Sequence, residues 1–405
     1  MKSLIDVRLL TRGGVSGFPS FTRNVVRELI IQNPEHQFIL FYNAFRVAKI
    51  PSEWLEAKNV RVINWHIPNR LLNLVWNLLA LPKIDWLIDC DLIYSPNVDL
   101  IETGRTPRVM TVHDLSFLYH PYFFSRRQLF WHSCQRIRRQ IKSAARVIAV
   151  SEYTKKTVIE KFDNEVAYNT KKIPVFHPSH KATAWRDTGM TGERTKVEVV
   201  YQGITEDLKL ESLSRPEEIN EPFFLYLGTF EPRKNVPLII LAFNEYKKRF
   251  ADHETRLVLA GGLGWLYQEI LDLVKKSPYK NEILILNQVS EEKKKILYNA
   301  AIAFIFPSFF EGFGLPPIEA QKCQCPVIAS NRTSFIETLG QSAVLVDPWN
   351  VSELAGAMHR IKNDLGLRKN LIFQGQKNAE RFSFKKTAAD LMKIFLKVYD
   401  ENHRL

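Results

Sequence analysis

Apolar and polar positions run through this chain in two successive series, each alternating short apolar runs with longer amphipathic ones. In the first, residues 3–10, 37–42, 60–65, 91–95, 108–112 and 146–150 each fit a strand. Residues 21–32 put Val25, Val26, Leu29 and Ile30 on one stripe, as a helix packing on a sheet does. Residues 163–190 are polar and poorly periodic, with scattered Lys, Thr and Pro, and read as a surface insertion or mobile loop. A last strand over 196–201 and a charged stretch over 206–221 end the series.

The pattern then restarts. Strands are expected over 223–228, 256–260, 282–286, 303–306, 327–330 and 343–346, with helices over 236–250, 265–275 and 291–300. A closing helix over 385–400 carries Ala388, Leu391, Met392, Ile394, Phe395 and Val398 on its apolar side. Strands alternating with helices predict parallel sheets with crossover connections. The expected fold is therefore α/β, with two Rossmann-like, doubly wound domains over residues 1–205 and 222–384. A linker over 206–221 joins them, and a terminal helix occupies 385–405. Two such domains facing one another leave a crevice at the carboxyl ends of their strands, where ligands bind.

Composition narrows the class. A chain of 405 residues can bury two cores, and 45% hydrophobic with 24% charged residues is typical of a folded soluble protein. The longest apolar stretch, 71–81, contains two asparagines and is too short to span a bilayer. Asp6 and Arg8 come too early for a signal peptide, and Cys90, Cys134, Cys323 and Cys325 show no metal-ligand pattern beyond one Cys-x-Cys. These features predict reduced cysteines and a cytoplasmic protein. The net charge of +13 sits mostly in residues 1–200, where 29 Lys and Arg face 18 Asp and Glu. It peaks at Arg126, Arg127, Arg136, Arg138, Arg139, Lys142 and Arg146, and suggests contact with the anionic inner face of a membrane. No zinc-finger spacing or aromatic RNA-binding motif supports nucleic acid as a partner.

The chemistry concentrates where strand 303–306 runs into Pro307-Ser308-Phe309-Phe310-Glu311-Gly312-Phe313-Gly314-Leu315-Pro316-Pro317-Ile318-Glu319. The two prolines can open a helix, leaving the amides of Phe313, Gly314 and Leu315 at its positive end, a place that suits a diphosphate. Glu319, one turn in, can accept the hydroxyls of an adjoining ribose. In Gly228-Thr229-Phe230-Glu231-Pro232-Arg233-Lys234-Asn235, Arg233 and Lys234 are placed to neutralise a leaving diphosphate, and Asn235 to cap the next helix. The loop over 11–19 carries Gly14 and Gly17, which let backbone approach a ligand closely. His113 and Asp114 follow strand 108–112 at another carboxyl end. No Asp-x-Asp stands at a carboxyl strand end where a divalent ion would be needed, so no metal and no cofactor is expected.

Glu311 and Glu319, with the glycines and prolines between them, resemble the Glu-x7-Glu signature of retaining glycosyltransferases of family four, which have the GT-B fold. Residues 228–235, the Thr111-Val112-His113-Asp114-Leu115-Ser116 element, the Ser151-Glu152 region and Cys325-Pro326-Val327-Ile328-Ala329-Ser330-Asn331 are also similar to that family. The resemblance implies transfer of a sugar from a nucleoside diphosphate to a hydroxyl of a glycan or lipid-linked glycan acceptor, with retention and without metal. It implies Glu311 on the hydroxyls of the transferred sugar, His113 hydrogen-bonded to that sugar, and Glu319 on the ribose. Arg233, Lys234, Gly314 and Leu315 would hold the diphosphate, and Gly14 and Gly17 lie beside it. The family's attack is front-face, with the leaving phosphate helping to deprotonate the acceptor, and its terminal helix returns to the first domain. Mannose is the first donor sugar to expect, because these motifs look most like those of mannosyltransferases of cell-surface polysaccharide synthesis. The chain departs from the family at Thr229, where some members carry arginine, and at Gln321-Lys322-Cys323-Gln324-Cys325, where small residues and glycine are usual. A nucleotide-sugar epimerase or phosphorylase of the same fold, or a silent transferase-like module, are the alternatives.

Overall fold

A computed structural model describes residues 1–12, 17–44, 50–162, 196–208 and 219–403. The insertion expected over 163–190, most of the charged stretch over 206–221, and Gly14 lie outside the described residues. Two parallel sheets form, as the alternating pattern requires. The first contains β1 (Lys2–Asp6), β2 (Gln37–Tyr42), β3 (Val60–Asn64), β4 (Leu92–Ser95), β5 (Arg108–Val112), β6 (Arg146–Ala149) and β7 (Val197–Val199). Its strand order is β3-β2-β1-β4-β5-β6-β7. The second contains β8 (Phe223–Leu227), β9 (Arg256–Ala260), β10 (Ile283–Leu286), β11 (Ala303–Phe306), β12 (Val327–Ser330) and β13 (Val344–Val346), in the order β10-β9-β8-β11-β12-β13. Strands β4, β5, β11 and β12 are buried throughout, which explains why they show no alternation of apolar and polar positions.

The first strand is shorter than its apolar run. It ends at Asp6, and Arg8–Arg12 forms a 3-10 turn. The cause is a buried ion pair: Arg8 Nη2 lies 2.6 Å from Asp6 Oδ2, with both side chains 2% exposed. The same guanidinium donates to the Leu100 carbonyl at 2.9 Å and stacks over Trp76. With its remaining donors met in this way, the pair folds the chain off the sheet within the stretch expected to be one strand. The stretch over 71–81 is largely a helix, Asn69–Leu79, which buries only Leu72 and Trp76.

The helix Phe384–His403 belongs spatially to the first sheet. Its Ala388, Leu391, Met392, Phe395 and Val398 share one core with Ile5, Val25, Leu29, Leu40 and Tyr94. The chain therefore passes between the two sheets twice, and the two passages touch. Thr387 Oγ1 donates to the Tyr201 carbonyl at 2.8 Å, and a Cβ on Gly203 would stand 2.1 Å from the Phe384 nitrogen.

Candidate active site

Adjacent strands bring the expected residues together. β11 pairs with β8, so the loops leaving their carboxyl ends lie side by side. From the β8 loop, Lys234 Nζ reaches Glu311 Oε1 at 2.6 Å and Arg233 Nη1 reaches Glu311 Oε2 at 3.0 Å. Arg233 also donates to Glu231 Oε1 at 2.7 Å and to the Phe310 carbonyl at 2.9 Å. Burial penalises the Glu311 carboxylate, but Arg233 and Lys234 outweigh that penalty and hold its pKa below the usual range. Burial likewise opposes the Arg233 charge, and Glu311, Glu231 and Asp114 overcome it to raise that pKa. Asp114, buried yet near Arg233 and bonded by Ser116, is held low in turn.

Asn235 does not cap the following helix. Its backbone is left-handed at φ 56°, and its side chain makes no capping bond. The amide instead donates to the Pro307 and Pro348 carbonyls at 3.2 and 2.7 Å, tying three loops of the second sheet together. These bonds tie the Arg233–Lys234 turn to the start of the Glu311 loop, which a local cap would not do.

Beyond Glu311 the chain is locked from behind. Ser334 Oγ donates to the Glu311 and Phe313 carbonyls at 3.1 and 3.0 Å, and Thr338 Oγ1 to the Phe313 carbonyl at 3.3 Å. Gly314 has φ +88°, which a Cβ would oppose while also meeting Phe335 at 2.2 Å. The helix Leu315–Lys322 starts there, with both prolines in its first turn. Among the described residues, no protein group accepts from the amides of Phe313, Gly314 or Leu315.

The first sheet meets this loop directly. Ser151 and Thr154 hydroxyls donate to the Gly312 carbonyl at 2.5 and 3.1 Å. A Cβ on Gly312 would stand 1.7 Å from the His113 carbonyl oxygen. The imidazole of His113 is itself fully engaged. Nε2 lies 2.8 Å from the Pro96 carbonyl, so it carries the proton, and Nδ1 then accepts from the Gln202 amide at 2.5 Å. Burial pushes its pKa down to about 4, and Phe18 and Phe21 pack on the ring. The hydrogen bond to a sugar expected of this imidazole thus competes with Gln202 or Pro96, and it is the backbone at 113 that meets Gly312.

A profile described as Glycosyltransferase Family 4 matches residues 15–173, and one described as Glycosyl transferases group 1 matches residues 211–378. The chain is a glycosyltransferase of family-four type. This transferase is 26% identical over 383 residues to O-antigen chain mannosyltransferase B of Escherichia coli, covering 91% of this chain and 93% of the relative. It is 27% identical over 349 residues to O-antigen chain mannosyltransferase RfbU of Salmonella typhimurium, covering 79% and 85%. In fold, the transferase matches sucrose-phosphate synthase of Thermosynechococcus elongatus with a TM-score of 0.70 at 17% identity, over 99% of each chain. It matches WaaG, a glycosyltransferase involved in lipopolysaccharide biosynthesis, with a TM-score of 0.66 at 13% identity, over 97% and 99%. Its two doubly wound sheets are those of the GT-B fold.

Glu319 of the transferase stands one turn inside the helix, 3.2 Å from Lys294 Nζ and 3.4 Å from the Tyr298 hydroxyl. Gly17 opens the helix Gly17–Gln32, whose Phe21 packs on His113. Four further residues escaped the sequence reading: Glu231, Gln202, Lys294 and Glu337. Glu231 lies inside a motif that was singled out, and a charge count there would have found it. Glu337 accepts from the Glu152 and Tyr153 amides at 3.0 and 2.9 Å, so a carboxylate of the second half caps a helix of the first. No local signal marks a cap whose partners are 185 positions away.

Proposed function

We propose that the transferase moves a sugar, mannose first, from a nucleoside diphosphate to a hydroxyl of a glycan or lipid-linked glycan, with retention and without a metal ion. The observation that carries this reading is the Arg233–Glu311–Lys234 cluster beside the open amides of Phe313, Gly314 and Leu315. Two cations and a helix start offer a diphosphate what it needs: forked and point charge from Arg233 and Lys234, and aligned N–H dipoles. As the phosphates take up the cations, the Glu311 carboxylate is released toward sugar hydroxyls. Glu319, with Lys294 and Tyr298 behind it, would hold the ribose. Attack comes from the face the diphosphate leaves, its oxygen receiving the acceptor proton, so no side chain serves as nucleophile. The mannosyltransferase names of the relatives support the choice of sugar.

The experiment is a panel of nucleotide sugars, GDP-mannose among them, assayed for binding and slow hydrolysis. Lys234→Ala and Glu311→Ala should each lower turnover by about a hundredfold or more, the scale of losing one preorganised electrostatic contact. Turnover by both variants at the parent rate would remove the site assignment, and failure of every nucleotide sugar to bind would remove the donor reading.

We also propose that the first half rests on an anionic membrane. Leu71, Leu74, Leu78, Leu79, Leu81, Trp86 and Leu87 are each 42–73% exposed along and just after the helix Asn69–Leu79. Arg136 bonds that helix at the Asn77 carbonyl, which joins the leucines to the basic helices Arg126–Cys134 and Ile137–Ser143. Apolar side chains flanked by arginines suit the boundary between acyl chains and phosphates.

A further inference from the structure

Aromatic rings run from one half to the other in an unbroken row. Trp349 lies 4.3 Å from Phe309 by ring centroids, Phe309 5.7 Å from Phe123, and Phe123 4.6 Å from Tyr122. Phe309 and Trp349 come from the second sheet's loops, Phe123 and Tyr122 from a 3-10 turn after the first sheet's β5. The row runs beside the candidate site, because the Phe309 amide donates to the Arg233 carbonyl at 2.9 Å and Glu311 is two residues on.

Sealing the two halves accounts for the middle of the row but not for its ends. Phe123 is 6% exposed, whereas Trp349 and Tyr122 are each 67% exposed, a costly way to hold two large rings unless something covers them. Both ends also carry ordered polar groups. Asp347 accepts from the Trp349 amide at 3.1 Å and faces Arg332 at 3.7 Å, while the Tyr122 hydroxyl bonds His120 Nδ1 at 2.8 Å. A row of flat apolar rings with a carboxylate and a guanidinium near one end and a hydroxyl at the other suits pyranose units, which have C–H faces and a rim of hydroxyls.

We propose that Trp349, Phe309, Phe123 and Tyr122 form a stacking subsite for pyranose units of the acceptor glycan, completed only when the two halves meet. This rests on the reading that the acceptor is a glycan. The subsite would hold the sugars behind the attacking one, so the terminal hydroxyl is presented toward the Glu311 loop. Binding the glycan and closing the cleft then become one event, since neither half supplies both ends of the row.

The test uses α-linked mannotriose as the probe and saturation-transfer NMR as the readout on the full chain. Mannotriose should bind the parent, and Trp349→Ala and Tyr122→Ala should each weaken it at least tenfold. Trp349→Phe should restore most of the loss, while Phe373→Ala, an exposed ring on a distant helix, should bind as the parent does. Mannotriose that fails to bind the parent, or binds both alanine variants equally well, overturns the subsite. The nucleotide-sugar panel separates the two readings: a parent that hydrolyses a donor yet ignores these rings loses the subsite alone.

Discussion

At the scale of single residues, the site is governed by who is already paired with whom. His113 is the clearest case. A histidine beside a sugar site invites the idea of an acid or base, yet burial and two hydrogen bonds keep this one neutral to about pH 4. A ring-nitrogen NMR titration should therefore show His113 uncharged across pH 5–8, and any activity limb near the ordinary value of about 6.5 should survive His113→Asn. The sign for stability follows. The unfolded chain takes up the proton near pH 6.5 and the folded chain does not, so this group costs stability as pH falls from there toward 4. His113→Asn should flatten that part of the acid slope in thermal unfolding, and an unchanged slope would show that the imidazole is freer than its contacts indicate. None of this pairing is legible in sequence, because Gln202 lies 89 positions away and carries no motif.

At the scale of elements, what could be read were the pieces that fit within one strand, loop and helix. The run from β11 to Glu319 holds its own geometry: an apolar strand, a left-handed Gly314 and two prolines starting a helix. The exact end of β1 was not readable, because Asp6 and Arg8 stand inside the expected strand without any sign that they pair and turn it. Nor was the job of Asn235, whose carbonyl partners come from two other loops. Gly312 shows how an element of one half is cut to fit the other. With 1.7 Å between its Cβ position and the His113 carbonyl, Gly312→Ala must push the loop and β5 apart. That variant should keep its thermal unfolding midpoint within a few degrees while losing transfer at least tenfold, and its scattering profile should report a wider cleft. Full activity with an unchanged profile would mean that this contact is not part of the working state.

For the whole molecule, the charge asymmetry and the exposed leucines point the same way. Vesicles rich in anionic phospholipid should sediment the protein, neutral vesicles should not, and the difference should shrink as salt rises from 0.05 to 0.5 M, roughly the range over which screening shortens from above 10 Å to below 5 Å. Leu78→Glu together with Leu79→Glu should abolish sedimentation without altering hydrolysis of a soluble donor. Equal sedimentation by the variant would free this face of the role. The row of aromatics and the Glu337 cap both act between halves, and a sequence read one element at a time has no place to record them. The two passages of the chain between the sheets have a consequence of the same kind. Because they touch at Gly203 and Phe384, they behave as one seam and not as two separate tethers. Backbone that crosses at one such seam favours a swing like a book cover's over sliding or spinning. The rings on either page should then meet in the same register each time the book shuts.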